Sequence, residues 1–336
     1  MNFFSKHLPY VIAEIASAHQ GRVSSAIKLV RSINKSKADA VKFQIFNTEK
    51  LISKKNSNFK NFKKLEIKYE DWEKVFKETK SINKDFIVEA FDIESLKFSL
   101  KLKKIKAFKI PATCIHDLKY LKLIRKTKKP LILSVGGAYF NEIKFAYRIL
   151  NKHSQNLVLM CGFQNFPTKI SDMKLSQLVY LKKYFKCDVG YADHTSSNDF
   201  NMSICLPVLA VGLGASIIEK HVTLNRKRQG SDYYSALNPN EFINFVKTLK
   251  KTKSSIGNTK SWNLNDAEKK YNKFNKRYAV AKFDLKSNSL ISKKNICFKR
   301  TNLIGVTENN INKIIGKKLK KNKKFDEIIL PKELKS

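Results

Sequence analysis

Two of the six histidines in this chain occupy matching positions. His194 follows Gly190-Tyr191-Ala192-Asp193 and precedes Thr195; His221 follows Ile218-Glu219-Lys220 and precedes Val222-Thr223. Each sits where a short apolar run meets its loop. They are 27 positions apart, about one strand–helix unit. Adjacent parallel strands would aim both imidazoles into one pocket, which suits a two-histidine metal site. The competing reading is a pair of buried structural histidines bonded to their neighbours. His19, in the loop after the first apolar run, is either a further ligand or a turn residue.

A buried strand has no reason to carry charge unless the charge faces a site or a partner. Here polar residues recur near the ends of the apolar runs: Glu14, Lys42 with Gln44, Glu89, Lys109, Ser134, His194 and His221. One such residue is unremarkable as a satisfied core group. Recurrence along the chain predicts that these ends share one catalytic mouth. Asp92 and Glu94 read as carboxylates at a helix N-terminus, where the dipole favours them. Cys161 reads as a small packing residue, because no base and orienting partner accompany it.

The elements that must position these groups follow a repeating unit. A short β-rich run is followed by a polar turn and an amphipathic segment. Runs begin at Tyr10, Ala40, Phe86, Ala107, Pro130, Leu157, Asp188 and Ser216. After the first, Val23, Ala26, Ile27, Val30 and Ile33 recur at helical spacing. Eight such units predict an α/β fold, a (β/α)8 TIM barrel, over residues 1–250. An open doubly wound sheet would more often show a glycine-rich phosphate turn, and Ala16-Ser17-Ala18-His19-Gln20-Gly21 is not one. Residues 251–276 read as a linker. Residues 277–336 read as a small β-rich domain with a helix around Asn309–Ile315, marginal alone and helped by docking.

The formal charge is +39, yet lysine is spread over the whole chain and no aromatic-and-arginine motif accompanies it. That argues for a solvated basic surface rather than nucleic-acid binding, with attraction of anionic substrates as a consequence. Five scattered cysteines without a CxxC pair argue against a disulfide framework and suit a reducing cytoplasm. No apolar run approaches the length of a membrane span, and the start of the sequence has no secretory pattern, so no membrane partner is expected.

Taken in order, several motifs resemble the sialic acid synthase family. They are Ile12-Ala13-Glu14-Ile15 with His19 and Gly21, Asp39 through Gln44, and Phe91-Asp92 with Glu94-Ser95. Lys109-Ile110-Pro111, Lys129-Pro130 through Ser134, and Tyr191 through Thr195 continue the series. Glu219-Lys220-His221 with Thr223, and Gly230 with Asp232, complete it. The tail, with Lys299-Arg300 and Ile315 through Lys318, resembles the family's antifreeze-like (SAF) module.

The resemblance implies an enzyme that condenses phosphoenolpyruvate with an N-acylated amino sugar, N-acetylmannosamine or a diacetamido-dideoxy hexose, to give a nine-carbon 2-keto acid. A related barrel aldolase or transferase with another aldehyde acceptor, or a sugar-binding homologue without turnover, are the alternatives. By resemblance, His194 and His221 match the ligands of a divalent metal, manganese or magnesium. Glu14 matches the carboxylate at the reacting centre. Lys42, Lys109 and Ser134 match groups that hold phosphoenolpyruvate. Gln44 and Asp232 match sugar-side contacts, as does Arg300, which in a domain-swapped homodimer reaches the partner's mouth; Phe166 matches an aromatic residue against the substrate. The chain departs from the family at several points. Ala18, Glu89-Ala90, Ala112-Thr113-Cys114, Ala192 and the stretch Cys161 to Pro167 stand where other residues are usual, and three hydroxyl positions are lost. Thr113 is a candidate to replace one. Glu89 brings a carboxylate near the expected phosphate.

Overall fold

A computed structural model describes residue 4 and residues 9–102, 104–151, 156–163, 165, 167–257 and 261–335. Eight strands close into one parallel barrel, each bonded to the next and the last to the first. They are β1 Tyr10–Glu14, β2 Ala40–Ile45, β3 Asp85–Ala90, β4 Ala107–Ile110, β5 Leu131–Ser134, β6 Leu157–Cys161, β7 Asp188–Asp193 and β8 Ala215–His221. Helices fill the connections, as the repeating pattern predicts. The (β/α)8 TIM barrel is therefore the fold.

Side chains on a strand alternate between its two faces. Tyr10, Ile12, Ala40, Ile87, Ala107, Ile132, Val158 and Ile217 pack together inside the barrel. The residues between them, such as Val11, Val41, Val88, Leu133 and Ile218, join a second cluster with helical residues such as Leu29, Trp72, Leu96 and Leu121. Burial on both faces is why these strands read as nearly continuous apolar runs. The helix Val23–Ser32 buries Ala26, Leu29 and Val30. Its inward stripe thus includes Leu29, while Ile27, expected on that stripe, is only half-buried.

Two ion pairs outside the barrel's interior fix its ends. Asp39 accepts the Val11 N–H at 2.8 Å and Lys250 Nζ at 2.9 Å, tying the helix Pro239–Lys253 to the start of β1. At the other end, Asp193 and Lys220 are register partners on β7 and β8, and neither is exposed at all. Lys220 Nζ donates to Asp193 Oδ2 at 2.5 Å and to the Thr195 carbonyl at 3.3 Å. Tyr191 Oη donates to Asp193 Oδ1 at 3.0 Å, and Thr195 Oγ1 to the same atom at 2.5 Å. This network holds the chain on both sides of His194.

The chain divides into two compact units at Gly257/Asn258. In the second, β9 Arg277–Ala281 pairs antiparallel with β10 Ile296–Arg300, and β11 Lys318–Leu319 with β12 Leu334–Lys335. Its core includes Ala279, Leu285, Ile291, Ile314 and Ile329. The stretch read as a linker contains a helix, Asp266–Asn275, closed at its start by a capping box between Asn265 and Glu268. None of its residues is buried, although Ala267, Tyr271 and Phe274 recur at helical spacing; that short stripe is exposed. The helix expected around Asn309–Ile315 is a 3-10 segment, Glu308–Lys313.

Two substitutions test this frame. Gly21 has φ +71, and a Cβ there would lie 2.0 Å from the Lys64 carbonyl oxygen. Gly21→Ala is expected to cost at least about 2 kcal/mol, from overpacking and a disfavoured backbone together; an unchanged urea midpoint contradicts it. Lys220→Met leaves Asp193 buried without its cation. Equilibrium unfolding should show a loss of about 3–5 kcal/mol, whereas a loss under 1 kcal/mol would mean that water replaces the ammonium.

Candidate active site

The inward positions above the apolar floor carry the polar groups. Strand register sets their level: Glu14 pairs with Lys42 on one side and His221 on the other. Glu89 likewise pairs with Gln44 and Lys109. Groups from widely separated sequence positions therefore meet at the C-terminal ends of the strands.

The centre is an ion cluster. Lys42 Nζ contacts Glu14 Oε2 and donates to Glu89 Oε2, with Glu219 Oε1 at 3.6 Å. Lys109 Nζ donates to Glu219 Oε1 at 2.7 Å and lies 3.8 Å from Glu89 Oε2. All five residues are at most 5 % exposed. Glu14 Oε1 also accepts the Ala16 N–H at 2.6 Å. Ala16 has φ +43, a costly conformation for a residue with a Cβ, and that bond grips it.

Electrostatics follows from burial and neighbours. Burial draws Lys42 below the ordinary lysine value, with Glu219 and Glu89 opposing. Burial also works against the Lys109 ammonium, but Glu219 and Glu89 outweigh it, and its pKa is raised. Glu219 is held below the usual carboxylate value: burial raises it, and Lys109 and Lys42 more than compensate.

His194 and His221 lie beside this cluster, with ring centroids 5.3 Å apart. Burial lowers His194 to about 4, against a bond to the Phe163 carbonyl. It lowers His221 well below the ordinary value, helped by His194 and Lys42. Both rings are therefore neutral near pH 7, as metal coordination requires. His194 Nδ1 lies 2.7 Å from the Phe163 carbonyl, a contact that fixes its tautomer as Nδ1–H. These two are the residues that could hold a metal. Among the described residues no group of three or more His, Cys, Asp or Glu forms a metal-binding cluster.

A cavity of about 370 Å³ opens on this centre. Gln44, Glu89, Lys109, Ser134, His194 and His221 line it, and Thr113 is on its rim. A second space of about 640 Å³ shares His194 and the loop Gly136-Gly137-Ala138 with it, and is lined by aromatic residues including Phe163, Tyr180 and Tyr191. Asp232, in the loop after β8, has φ +59, which aspartate tolerates better than most residues. Burial raises its pKa, opposed by Lys42, so it belongs to the same electrostatic neighbourhood.

Of the residues singled out from sequence, Glu14, Lys42, Gln44, Lys109, Ser134, His194 and His221 come together here. Arg300 is exposed at the end of β10 in the second unit. Phe166 lies outside the described residues. His19 does not join the site: its Nδ1 accepts the Gly21 N–H at 3.0 Å and its ring packs against Phe43 and Trp72. It is the turn residue of the two readings. Asp92 caps the helix Ile93–Lys101, accepting the Ser95 N–H at 2.8 Å. Burial pushes the Cys161 thiol up to about 12, which removes it as a thiolate nucleophile near neutrality. Glu219 is the group that sequence reasoning left without a role. The signal was present: it stands two residues before His221 on one strand, hence on the same face.

The chain is 32% identical to an uncharacterized protein of Methanocaldococcus jannaschii, over 95% of this chain and 93% of that one. It is 32% identical to the N,N'-diacetyllegionaminic acid synthase of Campylobacter jejuni, over 95% and 98%. Among solved structures, the N-acetylneuraminic acid (sialic acid) synthetase of Leptospira borgpetersenii superposes with a TM-score of 0.74 at 26% identity, covering 80% of this chain and 92% of that one. The model of the NeuB family matches residues 29–261, and with these relatives over nearly its whole length the chain belongs to the NeuB family.

Proposed function

We propose that this enzyme condenses phosphoenolpyruvate with the open-chain aldehyde of an N-acylated amino sugar and with water, releasing inorganic phosphate. The observation that carries this reading is the meeting of two ammonium groups, the Glu14 carboxylate and two neutral imidazoles in one buried barrel mouth. A buried ion cluster of this kind is no better for stability than a well-packed apolar core. Its presence in a family of acid synthases fits a substrate that is anionic at one end and carbonyl at the other.

Carbon 3 of phosphoenolpyruvate forms a bond to the aldehyde carbon, whose oxygen gains a proton. Water adds at carbon 2, and the carbon 2–oxygen bond to phosphate breaks. The product is a 2-keto acid longer by three carbons. Lys42 and Lys109 offset the charge of phosphoenolpyruvate, and Ser134 donates a hydrogen bond to it. Glu14 takes the proton of the attacking water or orients the sugar. Gln44 and Asp232 orient the sugar's hydroxyl and acylamino groups. Phe166 and Arg300, the SAF character of the second unit, and the domain-swapped homodimer in which Arg300 would reach a partner's mouth rest on the resemblance alone.

His194 and His221 fit a divalent cation, because burial keeps both rings neutral and the Phe163 carbonyl directs coordination to Nε2 of His194. Imidazole suits manganese better than magnesium. When bound, the cation supplies Lewis-acid polarisation of the aldehyde.

Phosphate release from phosphoenolpyruvate, measured over a panel of acylated amino sugars with manganese, tests the proposal. Turnover should require both substrates and stop on chelation. His194→Ala and His221→Ala should each abolish it while the far-ultraviolet circular dichroism is unchanged. Undiminished release in both variants after chelation excludes the metal assignment. Glu14→Gln should lower kcat by about 10²–10⁴; a change only in the KM for the sugar would assign Glu14 to positioning rather than proton transfer.

A further inference from the structure

The mechanism above gives Glu89 no task, yet Glu89 holds one of its two lysines. Glu14, Glu89 and Glu219 face Lys42 and Lys109, three carboxylates against two ammonium groups. With neutral imidazoles, the ionised cluster sums to −1. A divalent cation at the two histidines would offset that sum, but an anion approaching Lys42 still meets the Glu89 carboxylate already on that ammonium.

The three carboxylates differ in what secures them. Glu14 keeps a backbone bond to Ala16 at 2.6 Å besides Lys42. Glu219 keeps Lys109 at 2.7 Å. Glu89 is held by Lys42, with Lys109 more distant at 3.8 Å. Position separates Glu89 from Glu14: Glu89 and Glu219 line the 370 Å³ cavity with Ser134 and His221, Glu14 does not, and Lys42 is completely buried. Glu89 therefore stands between the cavity and the Lys42 ammonium. If Glu89 swings away, Lys42 retains Glu14 and gains room for one new anion.

We infer that Glu89 is a built-in competitor: it occupies Lys42 in the resting mouth, the phosphate group of the substrate must displace it, and its charge thereby sets the affinity for the anionic substrate. The inference rests on the reading that this mouth binds phosphoenolpyruvate, but it concerns anion binding and not turnover. Displacement makes and breaks no covalent bond. One ion pair, Lys42 with Glu89, is exchanged for another, Lys42 with phosphate.

Calorimetric titration of the full chain with phosphoenolpyruvate, and separately with inorganic phosphate, tests it, both in the presence of manganese. Glu89→Gln keeps the shape and removes the charge; Glu89→Thr removes the charge and leaves a hydroxyl. Both variants should bind both anions at least about tenfold more tightly than the native chain, since one unit charge close to a phosphate is worth more than that in a partly buried site. Equal or weaker binding in either folded variant overturns the inference, as does failure of the native chain and both variants to bind either anion. Should the variants not fold, a structure of the native protein with inorganic phosphate decides: the inference requires Glu89 to have left Lys42, and a bound phosphate beside an intact Lys42–Glu89 pair refutes it. Tighter phosphate binding without any turnover would keep this inference and remove the proposed reaction; turnover without tighter binding would do the reverse.

Discussion

The cluster of five charged side chains inside the barrel is the constraint on which the rest depends. Each ion taken from water alone would cost several kcal/mol. They are tolerated because they are taken in together. Lys42 sits among Glu14, Glu89 and Glu219, and Lys109 between Glu219 and Glu89. That mutual pairing needs five strands, β1, β2, β3, β4 and β8, to arrive in register. A one-residue slip of any of them would turn its charge outward into the helical layer and an apolar residue into the mouth. The hydrogen-bonded closure of β8 onto β1 is thus an electrostatic requirement as well as a topological one.

Below and around the cluster, the apolar parts serve that register. Inward residues such as Ile12, Ile87, Ile132 and Ile217 form a packed floor that keeps the charged layer at the strand ends. The outward network of Tyr191, Asp193, Thr195 and Lys220 acts one residue away from each imidazole. It secures the backbone at Asp193 and Thr195, on either side of His194, and the side chain preceding His221. Alternation places an imidazole pair inside and an ion pair outside on the same two strands.

The two lysines illustrate how one composition yields two chemistries. Both are buried and both face carboxylates, yet Lys42 is drawn down and Lys109 raised. Burial is the largest influence on both; at Lys42 the neighbouring Lys109 charge adds to it, whereas at Lys109 the carboxylates of Glu219 and Glu89 outweigh it. Lys109 makes a 2.7 Å bond with Glu219, whose own pKa falls in return.

The sequence by itself determined the barrel, the parity of each strand and therefore which charged residues face inward. An apolar run with a polar residue at its end has one stable arrangement in a parallel sheet, and Glu14, Lys42, Lys109, His194 and His221 were legible on that ground. The helix Asp266–Asn275 did leave a signal, the Asn265–Glu268 capping box and Ala267, Tyr271 and Phe274 at helical spacing, but the sequence could not decide whether His19 was a ligand or a turn residue. Only the tertiary structure decided which charges touch. That Glu89 takes Lys42 rather than standing apart, and that Glu219 completes the cluster, depends on the stagger between strands. Stagger is fixed by barrel closure, a property of all eight strands at once, and no local stretch of residues encodes it.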